Sequence, residues 1–173
     1  MILINQSKFN KNFQTSYNEL IDSLQLHQIC CPYCHHNELI KYGSYSRHIL
    51  LDEERISLDV CRVKCNNCKK THAILPSFLV PYQQVPLDAQ IEIVEASVEG
   101  RCLIPVLESH PFIDESCAYF ILKRFYSFWK ELLIAASLKI SSIKDHLHTC
   151  IDIYKLHFMQ IRKIPILLFS PPT

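Results

Sequence analysis

Glycine is scarce in this chain, which has only Gly43 and Gly100 among its 173 residues. Phosphate-binding loops of the P-loop and dinucleotide-binding types need several glycines so that the backbone can approach the phosphates closely. The sequence therefore excludes both of these nucleotide-binding classes.

Net charge, long apolar runs and a leader sequence are also lacking. The formal net charge is +1, so any nucleic-acid binding would have to come from local patches and not from a strong overall field. No uninterrupted apolar run reaches the roughly 18 residues of a membrane span. The first four residues, Met1 to Ile4, pass directly into polar residues, unlike a signal peptide. We expect a cytoplasmic protein with no membrane partner and no small-molecule substrate.

Cysteine, by contrast, is frequent, with nine residues in the chain. Four of them form two Cys-x-x-Cys pairs, Cys31 with Cys34 and Cys65 with Cys68. Zn²⁺ takes four ligands tetrahedrally, and each pair can supply two of them from a single tight turn. The spacing predicts one structural Zn²⁺ ion held by four thiolates in a reducing compartment. Because four thiolates leave no open position for water or substrate, we expect no catalysis at the metal.

The residues beside the pairs leave more than one ligand set open. Cys30 directly precedes Cys31, so the first pair could begin at either cysteine, although Pro32 favours Cys31. An imidazole can replace a thiolate at zinc, and three histidines lie close to the pairs in sequence: His35, His36 and His72. The simplest explanation without a metal is a group of buried free thiols.

Hydrophobic periodicity predicts an α+β chain of four segments. They are an N-terminal strand and helix that pack on a ribbon (1–27), a small antiparallel four-cysteine zinc ribbon (28–80), an all-helical domain (86–160) and an extended apolar tail (161–173). Ser16 and Glu19 resemble a capping box, which predicts a helix over 16–26. The core of the ribbon is small, so its folding should depend on metal.

The helical segment has the order of a helix-turn-helix module. Asp88 can cap a helix that ends at Glu99, with Gly100 in the C′ position. A short segment interrupted by Pro105 follows, and Asp114 can then cap a long helix that reaches about residue 137. Helix, short helix, turn and longer helix is the rhythm of a helix-turn-helix. A small helical bundle would show the same rhythm.

Motifs beyond the cysteines carry a family resemblance. They are Cys-Pro-x-Cys at 31–34, Gly43 with Tyr45 and Arg47, Arg62-x-x-Cys65-x-x-Cys68, Thr71-His72-Ala73-Ile74-Leu75-Pro76, and Phe78-Leu79-Val80-Pro81-Tyr82. With them, residues 28–100 resemble the N-terminal zinc-binding region of bacterial insertion-sequence transposases. The resemblance is closer to small bacterial mobile-element proteins that carry only this front part.

The resemblance implies DNA binding without catalysis. In such proteins the ribbon and the helical domain are taken to bind double-stranded DNA, commonly at element ends, and the implied partner is a transposase, a recombinase or a second copy of the chain. Full transposases continue into a ribonuclease-H-like domain with three metal-binding carboxylates. The few acidic residues after position 100 show no strand pattern that would gather two Mg²⁺ ions, so we assign no catalytic residue.

Candidate DNA contacts lie in both halves of the chain. In the ribbon they are Arg47, Arg62, Lys64, Lys69 and Lys70, and near the start of the long helix they are Ser116, Tyr119, Lys123 and Arg124. The first set suits phosphate contacts, and the second suits a recognition helix whose N-terminal turns meet base edges. A solvated surface explains the same charges without any ligand.

Two further functions compete with DNA positioning. The apolar tail from Ile164 to Phe169 suits a protein-interaction module or accessory subunit that docks a partner. A metal-dependent single-strand nuclease would use a histidine-hydrophobic-histidine triplet and a tyrosine, and His146, His148 and Tyr154 provide that pattern. The triplet needs a strand to place both histidines on one face, whereas its surroundings favour a helix.

Overall fold

The computed structural model describes residues 1–6, 9, 12–51, 54–135, 147 and 167–169. The strands are β1 (Ile2–Ile4), β2 (Leu39–Leu51), β3 (Glu54–Cys65), β4 (Thr71–Pro76) and β5 (Leu167–Phe169). The α-helices are α1 (Phe13–Ser23), α2 (Leu87–Glu99), α3 (Ile104–Glu108) and α4 (Glu115–Ala135). The fold is α+β, with one mixed sheet in the order β2-β3-β4-β1-β5. No described helix is both long enough and apolar enough to cross a membrane.

The described residues divide into two compact units. The first contains residues 1–49, 56–79 and 167–169, and therefore nearly all of the sheet and α1. The second contains residues 50–55 and 80–135, and therefore α2, α3 and α4. The two cysteine pairs belong to the first unit.

The short strand β1 occupies an interior position in the sheet. It pairs in parallel with β4, where Ile2 lies opposite Ile74, and in parallel with β5, where Ile2 lies opposite Leu167. All three β1 side chains are buried, as is typical of a continuous apolar strand covered on both faces. The described part of the apolar tail thus pairs within this chain.

Helix α1 begins at Phe13, three residues before the predicted start. The N–H of Ser16 donates to the carbonyl oxygen of Asn12 at 3.0 Å, so Ser16 lies inside the helix and the predicted capping box is wrong. The buried residues Phe13, Tyr17 and Ile21 follow a spacing of four and form the inward stripe. The helix is therefore positioned by this apolar stripe and not by the polar pattern that resembled a cap.

Aromatic packing and one hydroxyl fix α1 against the sheet. The rings of Phe9, Phe13 and Phe78 meet edge to face, with centroids 5.0 to 5.8 Å apart. The hydroxyl of Tyr17 donates to the carbonyl oxygen of Ile74 at 2.9 Å and accepts from the N–H of Cys61 at 2.8 Å. One buried oxygen thus joins α1 to both β3 and β4.

In the second unit, α2 packs on both α3 and α4. Gly100 ends α2 with φ 75°, and the N–H of Arg101 donates to the carbonyl oxygen of Ala96 at 2.8 Å, as the predicted C′ position requires. Asp114 caps α4, since its Oδ1 accepts from the N–H of Cys117 at 2.6 Å. Asp88 does not cap α2, because the helix begins one residue earlier, at Leu87.

Candidate metal centre

The four cysteines of the two pairs meet at one point. The sulfur atoms of Cys31, Cys34, Cys65 and Cys68 all lie within 4.8 Å of one another. Cys31 and Cys65 are buried and their partners are half-buried. The shortest sulfur–sulfur distances, 3.6 Å, join Cys31 to Cys68 and Cys34 to Cys65, so each close contact pairs one turn with the other. The spacer between the pairs has folded back to bring them together.

These distances fit a metal ion and do not fit disulfides. A disulfide needs sulfur atoms about 2.05 Å apart, and all four cysteines are free. A tetrahedral ion with metal–sulfur bonds of about 2.3 Å places its sulfur ligands about 3.8 Å apart. The observed 3.6 Å contacts are close to that value. The residues present can therefore hold one tetrahedral metal ion.

The two metal-binding turns have the same backbone geometry. If the first cysteine of a turn is residue i, the N–H of i+4 donates to the carbonyl of i, and the N–H of i donates to the carbonyl of i+5. All four bonds are 2.9 Å long: His35 to Cys31, Cys31 to His36, Lys69 to Cys65, and Cys65 to Lys70. Each turn is thus closed by its own backbone before any metal is considered.

Residue i+4 takes the left-handed conformation in both turns. The φ angle is 61° at His35 and 62° at Lys69, which is uncommon for residues other than glycine. This conformation reverses the chain directly after the second cysteine, so that both sulfur atoms of a pair face one point. The same uncommon conformation at equivalent positions shows that the two turns share one backbone shape.

The thiols compete for ionisation. The backbone N–H of His36 hydrogen-bonds the sulfur of Cys34 and lowers the pKa of that thiol to about 6. Cys68 receives the equivalent bond from Lys70, which lowers its pKa, but desolvation and the three neighbouring sulfur atoms outweigh it and raise the pKa to about 12. Four sulfur atoms at this spacing can all be thiolates only beside a cation, which is what a divalent metal supplies.

His72, which the sequence left open as a metal ligand, lies against the four-cysteine cluster but is not one of the four grouped ligands. Its side chain is 8% exposed, and its Nε2 atom lies 3.2 Å from the sulfur of Cys31. Burial, the terminal amine and Lys70 lower the pKa of His72 to about 4, so the ring is neutral. The amine of Met1 lies 3.4 Å from Nδ1. In the tautomer in which Nδ1 accepts from this amine, Nε2 carries the proton and donates it to the sulfur of Cys31. In the sheet, His72 on β4 lies opposite Val63 on β3.

Cys30, His35 and His36, which the sequence left open as metal ligands, lie outside the cluster. Among the described residues, the group of potential ligands contains Cys31 and not Cys30. His35 and His36 are both exposed. The structure therefore assembles the four cysteines that the spacing singled out.

The comparisons with known proteins add one match. The model of a family described as "Domain of unknown function (DUF6431)" matches residues 31–109. The matched stretch begins at the first cysteine of the cluster and contains β2, β3, β4, α2 and α3. No curated protein and no solved structure matches the chain.

The basic residues predicted around the metal site differ in their surroundings. Lys69 is exposed, and Arg47 is half-buried, with its side chain hydrogen-bonded to Tyr45. Arg62 donates from Nη2 to the hydroxyl of Thr71 at 2.9 Å. The ammonium of Lys64 lies 4.9 Å from the ring centroid of Tyr42, and that of Lys70 lies 2.9 Å from the centroid of Tyr33. Two of the five cations are therefore placed against tyrosine rings.

The candidate contacts on α4 divide into exposed and buried residues. Ser116, Tyr119 and Lys123 are exposed, as the spacing predicts. Arg124 is only 7% exposed, and burial lowers the pKa of its guanidinium. It lies three residues after the buried Ile121, on the same face of the helix, and is therefore buried, contrary to the exposed position that we expected. His146, His148 and Tyr154, which the nuclease hypothesis needs, lie outside the described residues.

Proposed function

We propose that the chain is a zinc-dependent, non-catalytic DNA-binding protein of a bacterial mobile element. In this proposal the four cysteines hold one structural Zn²⁺ ion in a ribbon, and α2 to α4 form a helix-turn-helix-like module. The protein positions or regulates element DNA, alone or beside a separately encoded transposase or recombinase.

The observation that carries the proposal is the charge distribution around the four-cysteine cluster. Residues 39–49 and 60–79 contain no aspartate or glutamate. The basic residues in these stretches are Lys41, Arg47, Arg62, Lys64, Lys69 and Lys70. A chain with a net charge of only +1 thus concentrates cations on the strands and turns that carry the metal site. Such a local patch is what phosphate contacts require.

The zinc in this proposal has a scaffolding role. A site of four thiolates is closed, so the ion supplies folding free energy and not chemistry. Lys69 and Lys70 immediately follow Cys68, so their positions depend directly on the second metal-binding turn. Removing the metal should therefore remove DNA binding through loss of structure.

The helical unit supports the second half of the proposal. Asp114 fixes the start of α4, and the exposed residues Ser116, Tyr119 and Lys123 follow in its first turns. A recognition helix contacts base edges with these N-terminal turns. The link to mobile elements comes from the motifs around the cysteines, which resemble the front part of insertion-sequence transposases.

A gel-shift titration tests this function. The full chain, purified with its metal, is titrated onto duplex DNA from the ends of the neighbouring element and onto unrelated duplex of equal length. We expect binding that survives non-specific competitor, is lost after zinc chelation and returns when zinc is restored. No complex in the presence of competitor DNA would overturn the proposal.

A second candidate is a protein-interaction module, and exposed aromatic residues on α4 favour it. Tyr119 and Phe120 are 58% and 60% exposed, and their rings meet edge to face. Aromatic residues are enriched in protein interfaces. Co-purification with the transposase or recombinase encoded beside the chain, lost in Phe120→Ser while zinc content is kept, would support this function. Equal recovery of the variant and the parent would exclude Phe120 as the anchor.

A further inference from the structure

One face of the sheet near the metal site combines aromatic and basic side chains. We define the Tyr42 face by Tyr42 on β2, Arg62 and Lys64 on β3, and Thr71 on β4. Lys64 lies opposite Thr71 in the pairing of β3 with β4, and Arg62 hydrogen-bonds Thr71 at 2.9 Å. The ammonium of Lys64 lies 4.9 Å from the ring of Tyr42. These contacts show that the four side chains share one side of the sheet.

The metal-binding turns contribute a second pair of the same kind. Tyr33 lies between the two cysteines of the first turn, and Lys70 directly follows the second turn. The ammonium of Lys70 lies 2.9 Å from the ring centroid of Tyr33. Because each partner comes from a different turn, this pair forms only when the four-cysteine cluster is assembled.

Both rings are open to solvent. Tyr33 is 53% exposed and Tyr42 is 54% exposed, although burying aromatic area is favourable. A lysine ammonium lies against each ring, while about half of each tyrosine remains accessible to a ligand. Exposed rings with cations beside them suit a ligand that is both flat and anionic.

Two acidic residues of this unit have polar partners of their own. Asp59 accepts a hydrogen bond from the hydroxyl of Ser46, and Asp22 is paired with Lys41 at 2.8 Å. Glu38 is exposed and lies beside the second cysteine turn, because its carbonyl oxygen accepts from the N–H of Asn66 at 2.8 Å. In the part of the chain that the structure describes, the contacts of Arg62, Lys64 and Lys70 are with a hydroxyl and two rings and not with a carboxylate. Their positive charge therefore remains available for phosphate.

We propose that the Tyr42 face, together with Tyr33 and Lys70, binds single-stranded DNA. Unpaired bases stack on aromatic rings regardless of sequence, and neighbouring cations follow the backbone phosphates. In a duplex the bases are stacked on one another, so no unpaired base is available to stack on an exposed ring. This inference rests on the proposed DNA-binding function and specifies which form of DNA the metal-containing unit takes.

Fluorescence anisotropy with the zinc-loaded full chain tests this assignment. The probes are a labelled oligothymidylate of about 15 nucleotides, the matching oligouridylate, and a duplex of equal length. Tyr33→Leu and Tyr42→Leu remove one ring each while keeping an apolar side chain. Tyr82→Leu removes a ring that is 71% exposed in the other unit and serves as the matched control.

We expect each of the two ring variants to weaken oligothymidylate binding about tenfold, with a much smaller effect on the duplex and none from Tyr82→Leu. Zinc content, measured for every variant, identifies a failure to fold. If Tyr33→Leu disturbs its turn, Tyr42→Leu on the strand still decides the question. Unchanged single-strand affinity in zinc-loaded Tyr42→Leu overturns the inference, as does tighter binding of oligouridylate than of oligothymidylate.

The same titration separates this inference from the proposed function. Duplex binding without single-strand binding would leave the proposed function intact and overturn the inference. Ring-dependent single-strand binding without duplex binding would uphold the inference and remove double-stranded DNA as the partner. Binding to neither probe would overturn both.

Discussion

The Nε2 atom of His72 lies 3.2 Å from the sulfur of Cys31, and the imidazole is held between that sulfur and the terminal amine. A neutral imidazole that donates a hydrogen bond to a thiolate reduces the negative charge on the sulfur. It also fixes the orientation of that sulfur toward the metal. Partners that hydrogen-bond to metal ligands in this way tune both affinity and geometry.

Substitution of His72 should weaken metal binding without removing a ligand. His72→Phe keeps a buried ring but loses the N–H donor, and we expect metal affinity to fall by about 10-fold to 100-fold. His72→Gln keeps an N–H donor and should retain more of the affinity. Competition with a chromogenic chelator measures both, and His27→Gln, an exposed histidine in the same unit, provides the control. Equal affinity in His72→Phe and the parent would show that the contact does not act on the metal.

The hydroxyl of Tyr17 should contribute measurably to stability. It satisfies the N–H of Cys61 and the carbonyl oxygen of Ile74, and Tyr17→Phe leaves both backbone groups without this partner in a buried position. We expect a loss of about 1–3 kcal/mol in the free energy of unfolding. Denaturant titration of the zinc-loaded proteins measures it, and no change in the midpoint would contradict the bridging role.

The stabilisation by Tyr17 should also depend on pH. Burial, as the largest cause, raises the pKa of Tyr17 above its ordinary value of about 10, because the folded state favours the neutral hydroxyl. The contribution is therefore complete below about pH 10 and is lost as the pH rises toward the folded-state pKa. The stability difference between the parent and Tyr17→Phe should shrink from about pH 9 to about pH 11. A stability difference that grows between these pH values would contradict a raised pKa of Tyr17 in the folded state.

Two adjacent basic residues on α4 should respond differently to the same substitution. Arg124→Gln should lower the stability of the protein by about 1–3 kcal/mol, because a buried side chain loses its packing. Lys123→Gln should change stability by less than about 0.5 kcal/mol. If Lys123 contacts a phosphate, Lys123→Gln should instead weaken duplex binding and reduce the slope of log affinity against log salt concentration by about one. Thermal unfolding and salt titration separate the two effects. A destabilised Lys123→Gln beside an unaffected Arg124→Gln would contradict the observed burial.

The sequence predicted the features that depend on short-range patterns. The cysteine spacing identified the four members of the cluster because a Cys-x-x-Cys turn is local. The single residues Gly100 and Asp114 correctly marked the end of α2 and the start of α4. The match of Ser16 and Glu19 to a capping box failed because a local polar pattern competed with the buried stripe that contains Tyr17, and the stripe decided where α1 lies.

Long-range contacts could not be read from the sequence. In the sheet, β1 lies between β4 and β5, where Ile2 pairs with Ile74 and with Leu167. Both partners are far from β1 in the sequence, and no local signal encodes a parallel register across such distances. The position of His72 made it a possible ligand in the sequence, but its hydrogen bond to Cys31 joins residues 41 positions apart and could not be read from the spacing. Arg124 was misplaced because its charge was given more weight than its helical spacing, three residues after the buried Ile121.

The most direct test of the central claim is the zinc content of the folded chain. Native mass spectrometry of protein purified without added metal should show one zinc per chain. The content should fall to near zero in the double variant Cys65→Ser, Cys68→Ser, and Cys30→Ser should leave it unchanged because Cys30 lies outside the cluster. A metal-free parent that is nevertheless folded, or a double variant that keeps its zinc, would contradict the claim that these four cysteines form the metal centre.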